Sequence, residues 1–381
     1  MIHFSREEFS KRQKKAVSAV VESGLEALLL FAPESQYWIS GYDTFGFAMF
    51  QCMVLTAKGE LHLLTRAPDL RQALHTSTLT QDQIHIWREI EGANPAVELV
   101  KLLQELEIRG PIGFEGDTAG LTDFNGQILR KSCPNLIEAS KLLRALRREK
   151  SPAEILMHRR AAALSDDALD AATDLLAPGA FEGDILAAMQ GAVFEGGGDY
   201  AGNEFIIASG KGALLVRYFS GRRYLASKDQ LTLEWSGAFA RYHAAMMRTL
   251  IVGQPTYNQQ KMHEAAVEAL EACEEAIRPD APMGDVFEAH VRVLDKHNLR
   301  HARLQACGYA MGAVYNPIWV EFPMFYESNP LPMKKNQVFF LHMILLDDAS
   351  GEAMTLGHSI LVGKNGNERL SRNSLKLIYR A

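Results

Sequence analysis

The sequence predicts an α/β domain followed by an α+β domain, and three observations support this order. In the first half, short apolar strands alternate with helical patterns, which is typical of an α/β domain with a mostly parallel or mixed sheet. In the second half, long helices precede or separate pairs of strands joined by short turns, which indicates an α+β domain. Between them, "EKSPAEI" begins a helix, with Ser151 as a plausible N-cap and Glu154 three residues later. We therefore place the domains at residues 1–148 and 149–381.

The first domain opens with a predicted helix at residues 5–23, where apolar residues recur at helical spacing until Gly24 ends it. The runs that follow predict a strand at 25–31, a hairpin at 52–66, a strand at 83–87, a helix at 96–108 and a strand at 111–116. The second domain has four predicted helices, at about 152–178, 182–196, 257–277 and 284–298.

Composition excludes several classes of protein. The chain is 47% hydrophobic and 23% charged with a net charge of -6, which is ordinary for a globular protein and unfavourable for nucleic-acid binding. The cysteines are far apart, without the spacing of a zinc site or a disulfide framework, and this suits a reducing compartment. No apolar run is long enough to span a bilayer, and the N-terminus does not resemble a secretory signal. We expect a cytoplasmic protein without nucleic-acid or membrane partners.

The stretch "LTLEWSGAFARYHAAMMRTLIVG", residues 231–253, predicts two apolar strands joined through a glycine, with Glu234 inside the first. A carboxylate among leucines and a tryptophan is costly unless it has a partner. Two readings stay open here. Glu234 is either a structural ion-pair partner of Arg241 or Arg248, or a functional carboxylate.

Several stretches resemble one superfamily, that of prolidase, aminopeptidase P, methionine aminopeptidase and creatinase, which has the pita-bread fold. The matching stretches are "LRALRREKSPAEI", "PGAFEGDILAAMQGAVFEGGGDY", "GNEFIIASGKGALLVRYF", "RYHAAMMRT" and "RPDAPMGDVFEAH". The resemblance covers nearly the whole chain. It implies a creatinase/prolidase-type N-terminal α/β domain followed by a pita-bread catalytic domain of the α+β class.

The metallopeptidases of this superfamily hold two divalent metals with two Asp, one His and two Glu. By resemblance, these ligand positions fall on Glu234, Ala245, Tyr309, His342 and Gly357. Ala245 and Gly357 have no side chain that could bind a metal, so the resemblance implies no dinuclear site, and we expect no metal and no other cofactor. Arg217 stands where the superfamily usually carries a catalytic histidine. A single metal held by Glu234, His243, His342 or His358 is a weaker alternative.

Local features resemble the metal-free branch of the superfamily, which contains creatinase and ectoine hydrolase. They are an E-x-x-G strand followed by "RYH", a "GYxxG" loop followed by "IWVE", a histidine in "LHMI" and the aromatic loop "ISGYDTFGFAMFQ". This branch hydrolyses small amidine-like or urea-like C–N bonds. Creatinase-like proteins are homodimers, so the "GYDTFGF" loop and Arg66 are expected to reach the other subunit's pocket.

A metal-free hydrolase needs a carboxylate that attacks or activates water and an imidazole that moves protons. We expect Glu234 to be the base or nucleophile, His342 and His243 to be its acid–base partners, and Tyr309 to donate a hydrogen bond to developing negative charge. The expected substrate-binding residues are Arg248, Arg217, Glu321, Tyr42, Phe45 and Arg66. Each of these residues also has an ordinary structural interpretation, in the core or on the surface.

The sequence thus predicts a metal-independent hydrolase of a small polar C–N substrate, of the cyclic amidine, urea or guanidino acid type. One alternative is an Xaa-Pro dipeptidase-like or aminopeptidase-like metallopeptidase with an altered metal site. Another is a non-catalytic binding protein on the same fold.

Overall fold

Two β-sheets organise the chain, one in each of two units. The computed structural model describes residues 1–219 and 221–381, which divide into unit 1, Met1–Arg147, and unit 2, Arg148–Ala381. An α/β first half and an α+β second half are confirmed. No helix of the described residues is both long enough and apolar enough to cross a membrane.

Unit 1 contains a mixed six-stranded sheet in the order β4-β3-β2-β1-β5-β6. Its strands are β1 (Ala27–Leu30), β2 (Cys52–Thr56), β3 (Leu61–Arg66), β4 (Ile84–Trp87), β5 (Ile112–Phe114) and β6 (Leu136–Glu138). Its helices are α1 (Arg6–Glu22), α2 (Pro33–Ser40), α3 (Leu70–Thr76), α4 (Pro95–Glu105), α5 (Asp123–Ser132) and α6 (Lys141–Arg148). Strand β1 is buried along its whole length, because apolar side chains cover both faces of the sheet.

Unit 2 contains a nine-stranded sheet whose main path is β11-β10-β12-β13-β9-β8-β7. Its strands are β7 (Ile206–Ser209), β8 (Asp229–Phe239), β9 (Tyr242–Val252), β10 (Ala306–Ala310), β11 (Glu321–Tyr326), β12 (Val338–Asp347), β13 (Glu352–Val362), β14 (Asn367–Arg369) and β15 (Ile378–Arg380). Its helices are α7 (Pro152–Asp174), α8 (Glu182–Glu195), α9 (Tyr257–Ala276) and α10 (Met283–Lys296). The strands of the main path pair antiparallel, as the sequence predicts for this half.

Helix α7 begins as its sequence predicts. The Ser151 hydroxyl accepts a hydrogen bond from the Glu154 amide, and the Glu154 side chain accepts one from the Ser151 amide. This reciprocal capping satisfies two amide groups that a helix start would otherwise leave unpaired.

Helix α2 has no counterpart among the predicted elements. It is eight residues long, and seven of these are buried. A short helix buried on nearly all sides has no amphipathic pattern, so periodicity does not reveal it.

Strands β8 and β9 form a hairpin that turns at Ala240 and Arg241. The expectation that a glycine joins the two strands is wrong, because Gly237 lies inside β8, paired with Ala244. Both turn residues have positive φ, 48° and 65°, which a two-residue hairpin turn requires. The resulting register pairs Glu234 with Met247 and Leu233 with Arg248. Neighbouring residues of a strand point to opposite faces, so Glu234 and Arg248 lie on opposite faces of the sheet.

Candidate active site

Glu234 and His342, although far apart in sequence, lie on the same face of the unit 2 sheet. Glu234 pairs with Met247, Met247 pairs with Gly357, and Gly357 pairs with His342. Residues directly opposite each other on paired strands share a face. The register of β8, β9, β13 and β12 therefore places the carboxylate and the imidazole in one row across the sheet.

A bulge in β10 brings Tyr309 to the same face. The pairing of β10 with β11 shifts between Ala306 and Tyr309, and Gly308 between them has φ 157°. A Cβ atom at Gly308 would overlap the carbonyl oxygen of Phe340, so only glycine fits. With this extra residue, both Ala306 and Tyr309 face the cavity described next, while Cys307 lies in the core on the helix side.

Glu234, Tyr309 and His342 line a cavity of about 230 Å³. Most of the remaining wall is apolar. The polar side chains and the indole in its lining are Glu234, Tyr309, His342, Arg217, Asn203 and Trp319. This volume is below the roughly 300–1,000 Å³ of sites for drug-sized ligands, which favours a small substrate.

The pKa of Glu234 is raised from its usual 4.5 to about 7, chiefly because burial disfavours the charged form. The positive charge of Arg217 and the hydrogen bond from Tyr309 oppose this shift without cancelling it. The described part of the chain gives Glu234 no salt bridge, and Arg248 lies on the other face. Glu234 is therefore not a structural ion-pair partner of Arg248.

Tyr309 links Glu234 to Trp319. The Trp319 indole donates to the Tyr309 hydroxyl at 2.9 Å, and this hydroxyl donates to Glu234 Oε1 at 3.5 Å. The second distance is long for a hydrogen bond between oxygens. Burial and the neighbouring Glu234 carboxylate hold the pKa of Tyr309 well above its usual value, so the phenol keeps its proton.

His342 is buried and stays neutral near pH 7. Its ring lies 5.7 Å from that of Tyr309 and 5.5 Å from that of Phe340, measured between centroids. Burial, together with the smaller effect of the positive charge of Arg217, lowers the pKa of His342 to about 4. Nδ1 makes no hydrogen bond to any residue in the described ranges. A neutral imidazole beside the cavity is able to accept a proton.

His243 does not line the cavity, in contrast to its expected position. Its Nε2 accepts a hydrogen bond from the Gly202 amide, and its Nδ1 bonds to the Arg241 carbonyl, both at 2.8 Å. Both ring nitrogens are thus occupied by backbone. The structure gives His243 a supporting position behind the cavity wall rather than one beside Glu234.

Two other expected substrate contacts in unit 2 lie elsewhere. Arg248 is buried on the helix side of the sheet, where it donates to the carbonyls of Met247 and Gly357 at 2.8 and 2.6 Å. Glu321 is buried in β11, against Gly312, and is not part of the cavity wall. Neither side chain is positioned to contact a molecule in the cavity.

The expected contacts in unit 1 have different environments. Tyr42 is a core residue, 1% exposed, and its hydroxyl donates to Gln51 at 3.2 Å. Arg66 forms a salt bridge with Glu89 at 2.7 Å. Phe45, by contrast, is 83% exposed, so its ring is free of the unit 1 core.

The side chains around Glu234 do not fit two metal ions. The described residues contain no group of three or more His, Cys, Asp or Glu side chains that could hold a metal. A Cβ atom at Gly357 would lie 2.5 Å from the Leu341 carbonyl oxygen and 3.0 Å from the Phe340 ring, so no larger residue fits there. His358 is on the other face, bonded to Glu274 at 2.6 Å. The four residues of the weaker one-metal alternative are therefore not brought together.

Sequence reasoning missed Trp319 and Asn203. Trp319 belongs to "IWVE", in which Glu321 is the residue predicted to bind substrate. The signal was present, because an indole beside polar residues needs a partner for its N–H. Asn203 lies just before β7, and its side chain accepts a hydrogen bond from the Trp319 amide at 3.2 Å. No sequence pattern marked this contact.

Comparison with known proteins places the chain in a family. The model of metallopeptidase family M24 matches residues 157–364, and that of the creatinase/prolidase N-terminal domain matches residues 12–148. The ectoine hydrolase of Halomonas elongata is 25% identical, with 97% of this chain and 96% of that protein aligned. The Xaa-Pro dipeptidase of Pyrococcus furiosus is 19% identical, with 97% and 99% aligned.

Solved structures share the fold over almost the whole chain. The Xaa-Pro dipeptidase of Bacillus anthracis has a TM-score of 0.84 at 18% identity, covering 98% of this chain and 100% of that one. A prolidase of Thermococcus sibiricus has a TM-score of 0.87 at 17% identity, covering 99% and 100%. The expectation of a hydrolase on the pita-bread fold is confirmed by the family match and these relatives. The chain belongs to metallopeptidase family M24 and carries the N-terminal domain of creatinase and prolidase.

Proposed function

We propose that this member of family M24 hydrolyses a C–N bond of a small polar, carboxylate-bearing substrate without a metal ion. The proposed substrate class is that of cyclic amidines, ureas and guanidino acids. The observation that carries the proposal is the Glu234 carboxylate in a small cavity, beside Tyr309 and a neutral His342, with its pKa raised to about 7. A proton acceptor works best when its pKa lies near the operating pH.

Each step of this hydrolysis has a residue suited to it. The ionised Glu234 takes a proton from water, whose oxygen then bonds to the substrate carbon, or attacks that carbon itself. In the first case the C–N bond breaks, and the departing nitrogen receives the proton that Glu234 took from water, directly or by way of His342. In the second case the departing nitrogen takes its proton from water as the C–N bond breaks, and the resulting hydroxide cleaves the bond between Glu234 and the substrate, which restores the carboxylate. Arg217 lines the cavity with an exposed guanidinium, which suits the binding of a substrate carboxylate.

The side chains present at the ligand positions favour a reaction carried out by side chains over one that uses two metal ions. Bridging carboxylates are what two close divalent cations require, and Ala245 and Gly357 supply none. The ectoine hydrolase of Halomonas elongata, a relative named as a hydrolase of ectoine, aligns over nearly the full chain. The first fact favours a reaction without metal ions, and the second favours the proposed class of substrate.

The test measures metal content and hydrolysis in the same preparation. Protein purified without chelator is dialysed into trace manganese, zinc or iron and analysed for metal per chain. It is then assayed, with and without EDTA, against cyclic amidines, ureas, guanidino acids and Xaa-Pro dipeptides. We expect less than about 0.1 metal per chain, and an activity on one of the first three classes that EDTA does not change.

Two results would overturn the proposal. One is tightly held metal together with dipeptide hydrolysis that EDTA abolishes, which would indicate a metallopeptidase with an altered site. The other is no turnover of any substrate by protein that binds one of them, which would indicate a binding protein. If the proposal holds, a single turnover in ¹⁸O-labelled water tests direct attack, since label that enters the Glu234 carboxylate shows that this carboxylate formed a bond to the substrate.

A further inference from the structure

The indole of Trp319 makes a hydrogen bond whose effect extends to Glu234. We propose that Trp319 is a positioning residue, because its N–H fixes the Tyr309 hydroxyl so that the tyrosine proton is directed at the Glu234 carboxylate. This inference rests on the proposed role of Glu234 and goes beyond it, because it concerns how the carboxylate is held.

The donor and acceptor properties of the two side chains determine where the Tyr309 hydroxyl proton points. An indole N–H can only donate, whereas a tyrosine hydroxyl has one proton and two lone pairs. Trp319 Nε1 donates to the Tyr309 oxygen at 2.9 Å and so occupies one lone pair. The hydroxyl proton must therefore point away from Trp319. Glu234 Oε1, at 3.5 Å, is an acceptor in that direction.

Trp319 is itself fixed by contacts on both sides. It is 2% exposed, and its backbone amide donates to Asn203 Oδ1 at 3.2 Å. A Cβ atom at Gly202 would lie 3.1 Å from the Trp319 nitrogen, so the segment before β7 approaches Trp319 closely. The Gly202 amide in turn donates to His243. Through these contacts the buried His243 supports the segment that packs against Trp319, although His243 itself does not line the cavity.

Two groups among the cavity-lining residues act on the Glu234 charge. Arg217 is a cation, and Tyr309 is the direct hydrogen-bond donor. A hydrogen bond to an ionised carboxylate is stronger than one between neutral groups. Losing the Trp319 N–H frees the hydroxyl to turn, and the orientation of the tyrosine proton is lost.

The proposal predicts that Trp319→Phe lowers kcat/KM only when the Tyr309 hydroxyl is present. Trp319→Phe should lower kcat/KM roughly tenfold, which corresponds to about 1.4 kcal/mol. In a Tyr309→Phe background the same change should have little further effect, because Trp319 acts through the hydroxyl that is already gone. A tryptophan that only fills space would lower kcat/KM by the same factor in both backgrounds, and that result would overturn the proposal.

A spectroscopic test needs no substrate. The chain has four tryptophans, so ¹⁵N-indole labelling gives four N–H resonances, and Trp319→Phe identifies the one from Trp319. We expect Tyr309→Phe to shift this resonance strongly upfield and Glu234→Gln to shift it more than the other three. The matched control is Glu204→Gln, which removes an exposed carboxylate near Asn203 and should move the resonance little.

The outcomes separate this proposal from the proposed hydrolysis. If the Trp319 indole resonance does not shift in Glu234→Gln, the proposed hydrogen-bonded link from Trp319 through Tyr309 to Glu234 is overturned, even if the enzyme hydrolyses C–N bonds. If this resonance does shift in Glu234→Gln, the link is supported, even if no substrate is turned over. If Trp319→Phe does not fold, the resonance that Tyr309→Phe moves furthest is assigned to Trp319, and the Glu234→Gln comparison proceeds unchanged.

Discussion

Glu234 combines two properties that a catalytic carboxylate needs at neutral pH. Its side chain is partly accessible from the cavity, and burial raises its pKa to about 7. A carboxylate whose pKa lies at the working pH is present in the ionised form and is still basic enough to take up a proton. The neighbouring Tyr309 and Arg217 stabilise the ionised form without removing this balance.

Glu234→Gln should reduce turnover about 10²–10⁴-fold, the usual contribution of a general base, while the protein stays folded. The amide has nearly the same shape but cannot accept a proton from water. Steady-state kinetics with circular dichroism at matched concentration measures both effects. The exposed Glu204→Gln should keep normal turnover. A folded Glu234→Gln protein with normal turnover would exclude Glu234 as base or nucleophile.

The Glu234 carboxyl should also make stability depend on pH. Its pKa rises on folding from 4.5 to about 7, so between these values the folded state binds more protons than the unfolded state. The free energy of unfolding therefore falls as pH rises through this window, by up to about 3 kcal/mol. Glu234→Gln should lack this loss, so its melting temperature should exceed that of the parent by more at pH 8 than at pH 5.

Differential scanning calorimetry of the two proteins from pH 5 to 8 measures the effect. Glu115 in unit 1, whose pKa burial also raises to about 7, titrates in both proteins and cancels in the comparison. Equal pH dependence of the two melting temperatures would show that Glu234 is not held in a buried, proton-binding environment.

At the scale of elements, the bulge in β10 decides which side chains face the cavity. A regular strand alternates its side chains, so Ala306 and Tyr309, three residues apart, would point to opposite faces. The extra residue at the bulge restores both to one face. Gly308 makes this possible, because its φ of 157° and its closeness to Phe340 exclude a side chain.

Gly308→Ala should destabilise the protein by about 3 kcal/mol and move Tyr309 out of place, because the new methyl group meets the Phe340 carbonyl. Urea denaturation measures the stability, and the Trp319 indole resonance reports the position of Tyr309. Gly191→Ala in α8 is the control, since its Cβ meets nothing within 4 Å and alanine favours a helix. If Gly308→Ala matches Gly191→Ala in stability, glycine is not required at the bulge.

At the scale of the whole molecule, the cavity belongs entirely to unit 2, while Phe45 of unit 1 is 83% exposed. A ring this exposed is available for contact with a second copy of the chain. Together with the resemblance to creatinase-like homodimers, this favours the proposal that Phe45 serves the site of a second copy of the chain.

Mixing two inactive variants tests this proposal. We expect a mass of twice 42.3 kDa in solution, and low activity for Phe45→Ala and Glu234→Gln homodimers. In the mixed dimer, one site has Glu234 from one chain and Phe45 from the other, and the second site has neither. About half of normal activity per mixed dimer should therefore return. A monomer, or no recovery after subunit exchange, would show that each chain completes its own site.

Most elements could be predicted because they depend on local information, although α2, α3, α5 and β6 were not, and the family was indicated by the resemblance of whole stretches. The capped start of α7 and the hairpin of β8 and β9 are consistent with short-range periodicity and turn chemistry. The absence of metal ligands at Ala245 and Gly357 is likewise a matter of residue identity. Helix α2 escaped prediction because burial on nearly all sides removes the periodic signal.

Only the tertiary structure decided which of the singled-out residues meet. A shift of one residue in register moves a side chain to the other face, so the pairing of Glu234 with Met247 sends Arg248 away from the cavity. Hydrogen bonds to backbone groups keep His243 out of the cavity lining, and Trp319 is part of the site through its hydrogen bond to Tyr309. Residue types and local spacing determine most elements, and the resemblance of whole stretches indicates the family. A site on a sheet depends on register, bulges and hydrogen bonds between distant segments, which no local pattern encodes.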